Sequence, residues 1–337
     1  MGEKSMVQIA GDSRFSDQGE PLGPGLEPGA DVGKSPWQLF WRRFRRDRMA
    51  LTGLAFLALL VLVALLAPLI AEYVVGHGPN DLYIHEPVKM VDEFGLPLGP
   101  NGDFWFGADR SGRDLFVRVL YGARTSLLVG VAATRFAVIV GVILGMIAGY
   151  YGGWRDTLIS RTTDIILSFP FLLFAIGIVG ACSVSPDGCF GGLVKPGLPI
   201  VVFVIALFTW PSIARVVRGN TLSLRESEFI DANRSLGASN RAIIFRELLP
   251  NLVAPIIVYS TLLIPSNILF EAALSFLGMG VPQTVPSWGR QLSEAAQIFR
   301  VAWWMMVFPG LFLFATTLSF NLVGDGLRDA LDPRTGR

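Results

Sequence analysis

Six stretches of this chain are apolar for long enough to cross a bilayer, and polar, turn-rich segments separate them. A hydrocarbon core about 30 Å thick needs roughly 20 mostly apolar residues in a spanning helix. The first run, residues 49–71, holds no charge, and the second, 127–150, is broken only by Arg135. The third covers 165–182, with 158–164 as its polar lead-in. The remaining three are 198–214, 252–277 and 301–323. The pattern predicts an all-α, polytopic membrane protein with six transmembrane helices.

Just ahead of the first run, Trp37, Phe40, Trp41 and Phe44 recur at i, i+3, i+4 and i+7, with arginines on the other face. That spacing predicts an amphipathic helix lying in the membrane interface, with Ser35 and Pro36 as its cap and first position. Residues 1–36 are polar, rich in Gly and Pro and without the apolar core of a signal peptide. Their composition predicts a disordered tail.

Charge orients the spans. Arg42, Arg43, Arg45, Arg46 and Arg48 face a single acid, Asp47, immediately before span one. Cytoplasmic flanks collect Lys and Arg, so the N-terminus is expected in the cytoplasm, and six crossings return the C-terminus there. The segment between spans four and five is then cytoplasmic, and it carries Arg215, Arg218, Arg225, Arg234, Arg241 and Arg246. The outside segment 76–124 has five basic residues against seven acids. The expected organisation is a tail (1–36), the interfacial helix with span one (37–75) and an extracytoplasmic segment (76–124). A five-span core (125–325) with a cytoplasmic loop at 218–250 follows, then a cytoplasmic tail (326–337).

Composition excludes a soluble reading. Hydrophobic residues make up 52% of the 337 and charged residues 16%, against about 25% charged in an ordinary soluble domain. A net charge of +1 gives no bulk attraction to nucleic acid. Two histidines, His77 and His85, in a turn-rich loop and two cysteines leave no metal or haem site to expect. Cys182 and Cys189 bracket a short loop with Pro and Gly at its tip. In an oxidising compartment a disulfide is open to them, and the sequence leaves the pair either bonded or free. Residues 28–35 approach a phosphate-binding loop, but Pro28 stands where the first glycine belongs and no strand precedes it. No nucleophile elbow, zinc-binding helix or paired intramembrane carboxylate points to an enzyme, and no catalytic residue or bound cofactor is expected.

The informative segment is EFIDANRSLGASNRAIIFRELLPN, residues 228–251. Its first part has helical spacing and stops at Leu236-Gly237, where glycine suits a left-handed cap. Ser239 can then cap a second helix presenting Ile243, Ile244, Leu248 and Leu249, with Pro250 at the start of span five. Small residues at Ala232, Gly237 and Ala238 permit close approach by a partner.

This segment resembles the EAA loop of binding-protein-dependent ABC-transporter permeases, the element that docks into the ATPase subunit. Asp231, Ala232 and Asn233 stand at the acidic-Ala-Ala positions, Gly237 at the family's glycine and Leu249-Pro250 near its closing Leu-Pro. Asn233 departs from Ala and is a poorer helix former. Residues 106–130, 149–156, 271–289 and 320–334 resemble segments of the dipeptide, oligopeptide and nickel permeases. The additional first span with its basic aromatic leader resembles the C-type subunit of the pair. The resemblance implies a type I importer permease fold with an extra N-terminal helix, in a bacterial inner membrane. It also implies a second homologous permease, two ATPase subunits that hold ATP and Mg, and an extracytoplasmic binding protein. Asp231, Ala232, Asn233, Arg234, Leu236, Gly237 and Ala238 become the expected ATPase contact.

Intramembrane polar groups are costly and usually face a bundle interior or water. Arg135, Asn267 and Glu271 are therefore the candidates for the translocation pathway, with Asp164 near the inner end of span three. Peptides are the implied cargo; nickel chelates or opines would use the same architecture. A self-sufficient secondary transporter would instead show coupling-ion residues at mid-membrane and internal repeats. The segment 278–290, with Pro282, Pro286 and Trp288, is expected to fold back towards the outer mouth.

Overall fold

The computed structural model of the chain describes residues 36–331, apart from 86, 185–187 and 190, and leaves out the side chains of 36 and 37. The stretch 28–35, the tail 1–36 save its last residue, and residues 332–337 lie outside the described residues. The described residues form helices joined by loops, and their only β pairings are isolated bridges.

Helix α1 (Pro36–Phe44) stacks Phe40 on Phe44, and Phe44 is buried against Ala50 and Ala330. The amphipathic helix therefore grips the far end of the chain with its aromatic side while Trp41, Arg42 and Arg45 stay exposed. Asp47 then turns the chain into α2 (Arg48–Leu69), its carboxylate accepting the Met49 and Ala50 amides at 2.9 and 3.1 Å. That satisfies two of the amides a helix start leaves open. A π-helical turn, Ile70–Val75, carries α2 onward to Gly76.

Helix α3 (Leu115–Tyr151) is the spine of the bundle. It spans 37 residues, about 55 Å at 1.5 Å per residue. Gly141, Gly145 and Gly149 recur every fourth residue and face α6 (Leu198–Arg225). A Cβ at Gly145 would sit 2.6 Å from the Ala214 carbonyl oxygen, and one at Gly149 would sit 2.7 Å from Thr221 Cβ. Small residues at helical spacing let two backbones touch, which is how helices associate where lipid tails remove the hydrophobic drive.

The third apolar run is not the single span expected over 165–182. Helix α4 (Gly153–Ser168) ends at Phe169-Pro170, and α5 (Phe171–Val184) leaves it at 88°. Phe169 is extended, with φ −84 and ψ 135, the conformation that a following proline imposes. Helix α5 alone has 14 residues, about 21 Å. Five helical stretches among the described residues are long and apolar enough to cross a membrane, and a sixth crossing requires the bent pair to act as one span. Past α5, Cys182 and Cys189 form a disulfide, with Cα atoms 5.0 Å apart.

After α6 come α7 (Glu228–Ser235), α8 (Asn240–Ala242), a π-helical turn (Ile243–Leu248) and α9 (Leu249–Phe276). The last three run on as one helix, Asn240–Phe276. The second cytoplasmic helix expected to stop before Pro250 is thus fused to span five. Helix α10 (Trp288–Ala295) folds back onto the start of α3, and α11 (Trp304–Leu331) completes the bundle beside α2 and α9. Trp288 is fully buried and its Nε1 donates to the Val119 carbonyl at 3.1 Å. Gln291 Nε2 donates to the Arg118 carbonyl at 2.7 Å.

Candidate functional site

At the Tyr151 end of α3 the chain makes an exposed knuckle. Helix α7 presents Asp231, Ala232 and Arg234 to the surface, and the turn beyond it presents Leu236 and Gly237. Leu236 is 86% exposed. Asn233 and Ala238 are half-buried. Underneath, Ile230 is fully buried with Tyr150, Ile243 and Leu248, so one hydrophobic anchor fixes the whole helix to the bundle.

The turn is closed by backbone alone. Gly237 has φ +80. Its amide donates to the Arg234 carbonyl at 2.9 Å, and the Ala238 amide donates to Asn233 at 3.0 Å. These two bonds are the Schellman closure of a helix, and they need a residue that tolerates positive φ. Ser239 then caps the next helix, its hydroxyl accepting the Ala242 amide at 3.3 Å. Asn233 does not break α7; its side-chain amide donates to the Phe229 carbonyl one turn back, at 2.9 Å.

Tyr150 and Arg234 brace the knuckle. Tyr150 donates to Asn240 Oδ1 at 2.8 Å, and the Arg234 guanidinium lies 5.7 Å from the centre of the Tyr150 ring. Arg234 also reaches Asp231 at 3.1 Å, an exposed pair that contributes little by itself. Arg218 Nη2 donates to Asp156 Oδ2 at 2.7 Å and its Nε engages the other carboxylate oxygen, which ties α4 to α6 in a two-pronged pair. Asp164 pairs with Arg215 at 2.9 Å in the same groove, with both side chains more than half exposed.

The three pathway candidates separate. Asn267 is fully buried: its Oδ1 accepts from Thr209 at 3.0 Å and its amide donates to Thr134 at 2.8 Å. It joins α3, α6 and α9 and does not reach a surface from which cargo could be touched. Glu271 is fully buried as well, accepting from Ser126 at 3.0 Å and from Ser275 at 2.7 Å. Both are polar joints between helices, and neither is exposed on the surface of this chain. Arg135 alone is exposed, on a stripe of α3 with Leu128, Val131 and Ile139, and it makes no ion pair or hydrogen bond among the described residues.

One cluster was not anticipated. At the opposite end of the bundle, Asp109, Arg113 and Arg118 form a buried ion network that reaches Glu294 and Arg290 after α9. The sequence signal was the density of charge over 109–118, which entered only the charge balance of the outside segment 76–124.

The described residues form a membrane-type helical bundle with one exposed, backbone-closed turn and with Asn267 and Glu271 buried between helices. Its fold is similar to a chain of the inward-facing MetNI methionine ABC transporter. The TM-score is 0.54 at 18% identity, covering 65% of this chain and 98% of that one. A second crystal form of the same transporter gives 0.51 at 19% identity. This is the type I importer permease fold. Residues 141–337 match the family described as binding-protein-dependent transport system inner membrane component, and residues 35–85 match the N-terminal TM domain of oligopeptide transport permease C. The glutathione transport system permease protein GsiD of Escherichia coli is 42% identical over 304 residues, covering 90% of this chain and 92% of the relative. The dipeptide transport system permease protein DppC of Alkalihalophilus pseudofirmus is 41% identical over 302 residues, covering 89% and 90%. The chain belongs to the binding-protein-dependent transport system inner membrane component family. It is a multi-pass inner-membrane protein and the permease subunit of an ABC importer.

Proposed function

We propose that this chain forms half of the translocation pathway of a peptide importer and is driven through the 228–250 loop by ATPase subunits. The observation that carries the reading is the knuckle itself: Leu236 and Gly237 stand exposed on a backbone-closed turn, anchored beneath by Ile230. Asp231, Ala232, Arg234, Leu236 and Gly237 form the contact, and Asn233 and Ala238 support it. The work done there is mechanical. The chain catalyses nothing; ATP and Mg are held by two ATPase subunits, and a second homologous permease completes the pathway. An extracytoplasmic binding protein delivers cargo at the opposite end, and both termini lie in the cytoplasm, in keeping with the arginines before α2 and after α6. Arg135, exposed on α3, is the pathway candidate of this chain. Cargo is a short peptide, in line with the glutathione and dipeptide systems of its relatives.

Purification of the tagged protein in mild detergent tests the assembly, and reconstitution into liposomes tests the cargo. The expected result is co-purification of a second permease and two ATPases, with ATP-dependent uptake of di- or tripeptides. A chain recovered alone that moves solute without ATP would overturn the reading, and uptake of a nickel chelate in place of peptides would replace the cargo.

A further inference from the structure

At the bundle end away from α7, Arg110, Arg113, Arg118 and Arg290 share one site with two carboxylates among the described residues, Asp109 and Glu294. Asp109 is fully occupied. Its Oδ1 accepts the Ser111 and Arg113 amides at 2.8 and 3.0 Å, and its Oδ2 faces Arg113 Nε at 2.7 Å and Arg118 Nε at 3.1 Å. Glu294 is shared loosely, 3.5 Å from Arg113 Nη2 and 3.5 Å from Arg290 Nε. Glu294 Oε1 and Arg290 Nε are buried and have no hydrogen-bond partner among the described residues. Arg110, exposed on the rim, reaches only the neutral Gln297 side chain. Cations therefore outnumber anions in a partly buried place, where an uncompensated charge is expensive.

A cavity of about 430 Å³ opens onto this cluster. Arg110, Ser111, Gln283, Arg290, Glu294 and Gln297 are among its walls, and every lining residue is polar. The walls come from the loop before α3 and from the 283–297 segment, not from the lipid-facing helices. With no apolar wall, nothing in the cavity suits an acyl chain.

We propose that this pocket receives an acidic side chain, Asp or Glu, of the soluble binding protein when that protein docks. The inference rests on the importer reading above. The incoming carboxylate balances the arginine surplus by pairing with the Arg110 and Arg290 guanidinium groups that line the cavity, while Gln283, Ser111 and Gln297 offer neutral donors around it. Long-range attraction between the arginines and an acidic surface also speeds encounter and fades with salt.

The test titrates the fluorescently labelled binding protein onto the complete transporter in lipid nanodiscs, with Arg110→Glu and Arg290→Gln compared with wild type. Co-purification of the second permease checks that each variant assembles, and the milder Arg290→Gln carries the test if Arg110→Glu does not. Expected are a Kd at least about tenfold weaker for Arg110→Glu and several-fold weaker for Arg290→Gln, with wild-type binding weakening as salt rises from about 0.05 to about 0.5 M. Wild-type affinity and salt dependence in both variants would overturn the proposal. So would normal docking with selective loss of uptake for peptides bearing a free C-terminal carboxylate, which would assign the pocket to cargo. If no binding protein engages even the wild-type complex, the importer reading itself fails and the pocket proposal falls with it.

Discussion

Tyr150 and Asn240, 90 residues apart in sequence, are joined by a 2.8 Å hydrogen bond between the last turn of α3 and the first residue of the helix that becomes span five. The knuckle is therefore tied to the spine of the bundle by a side chain as well as by the main chain. Tyr150→Phe removes this bond and keeps the ring beneath Arg234. A net hydrogen bond contributes about 1 kcal/mol, so the expected effect is a several-fold drop in peptides moved per ATP hydrolysed, with the complex still assembled. Measuring uptake and hydrolysis on the same proteoliposomes checks it, and an unchanged ratio would show that the bond plays no part in coupling.

Gly237→Val isolates backbone strain. A Cβ there meets nothing within 4 Å, so no clash accompanies the substitution. The cost is that of holding a β-branched residue at φ +80, about 1–3 kcal/mol. Membrane insertion should match wild type and the loss of thermal stability should stay within that cost, while ATPase co-purification falls and stimulated ATP hydrolysis disappears. Full stimulated hydrolysis in that variant would mean the turn is not the contact.

Asn267→Ala leaves the Thr134 and Thr209 hydroxyls without their shared partner inside the bundle. Each hydroxyl keeps a carbonyl of its own helix, Gly130 at 2.8 Å and Ile205 at 2.7 Å, so what is lost is two inter-helix bonds, about 1 kcal/mol each. The protein should melt several degrees lower in detergent, with cargo preference unaltered. A changed preference at unchanged stability would return Asn267 to the pathway.

Gly145→Ala and Gly177→Ala form a contrasting pair. A methyl at Gly145 drives into the Ala214 carbonyl oxygen, whereas one at Gly177 meets nothing within 4 Å. Overpacking costs about 1–3 kcal/mol, so Gly145→Ala should lower the folded yield in the membrane and Gly177→Ala should not. Western quantification with a fluorescence size-exclusion profile separates the two; equal yields would mean the α3–α6 contact has slack.

What the sequence made legible and what it hid differ in kind. The helix at α1, the Gly237 turn and the Ser239 cap are all local, each written within a few residues, and each forms where it was expected. The break between α4 and α5 was also local, but residues 165–182 are apolar on both sides of Pro170, and hydrophobicity outweighed the proline. The surroundings of Asn267 and Glu271 were hidden for another reason. A polar residue in a span looks the same in sequence whether it faces water or a hydroxyl on another helix. The Thr134 partner of Asn267 and the Ser126 partner of Glu271 lie 133 and 145 residues away. The arginine pocket was hidden in the same way, since Glu294 meets Arg113 across 181 residues.

The unbroken helix from Asn240 to Phe276 begins at the knuckle and holds Glu271 near its other end. A straight rod of that length is about 55 Å long, so a tilt of only about 5° at one end would sweep the other through roughly 5 Å. Pro250, Pro255 and Pro265 each delete a backbone donor along it, giving the lever three compliant joints. Under the proposed function, the stroke that reaches the outer end is set by how much those joints absorb, and stiffening one of them would change the gain without touching the proposed contact at either end.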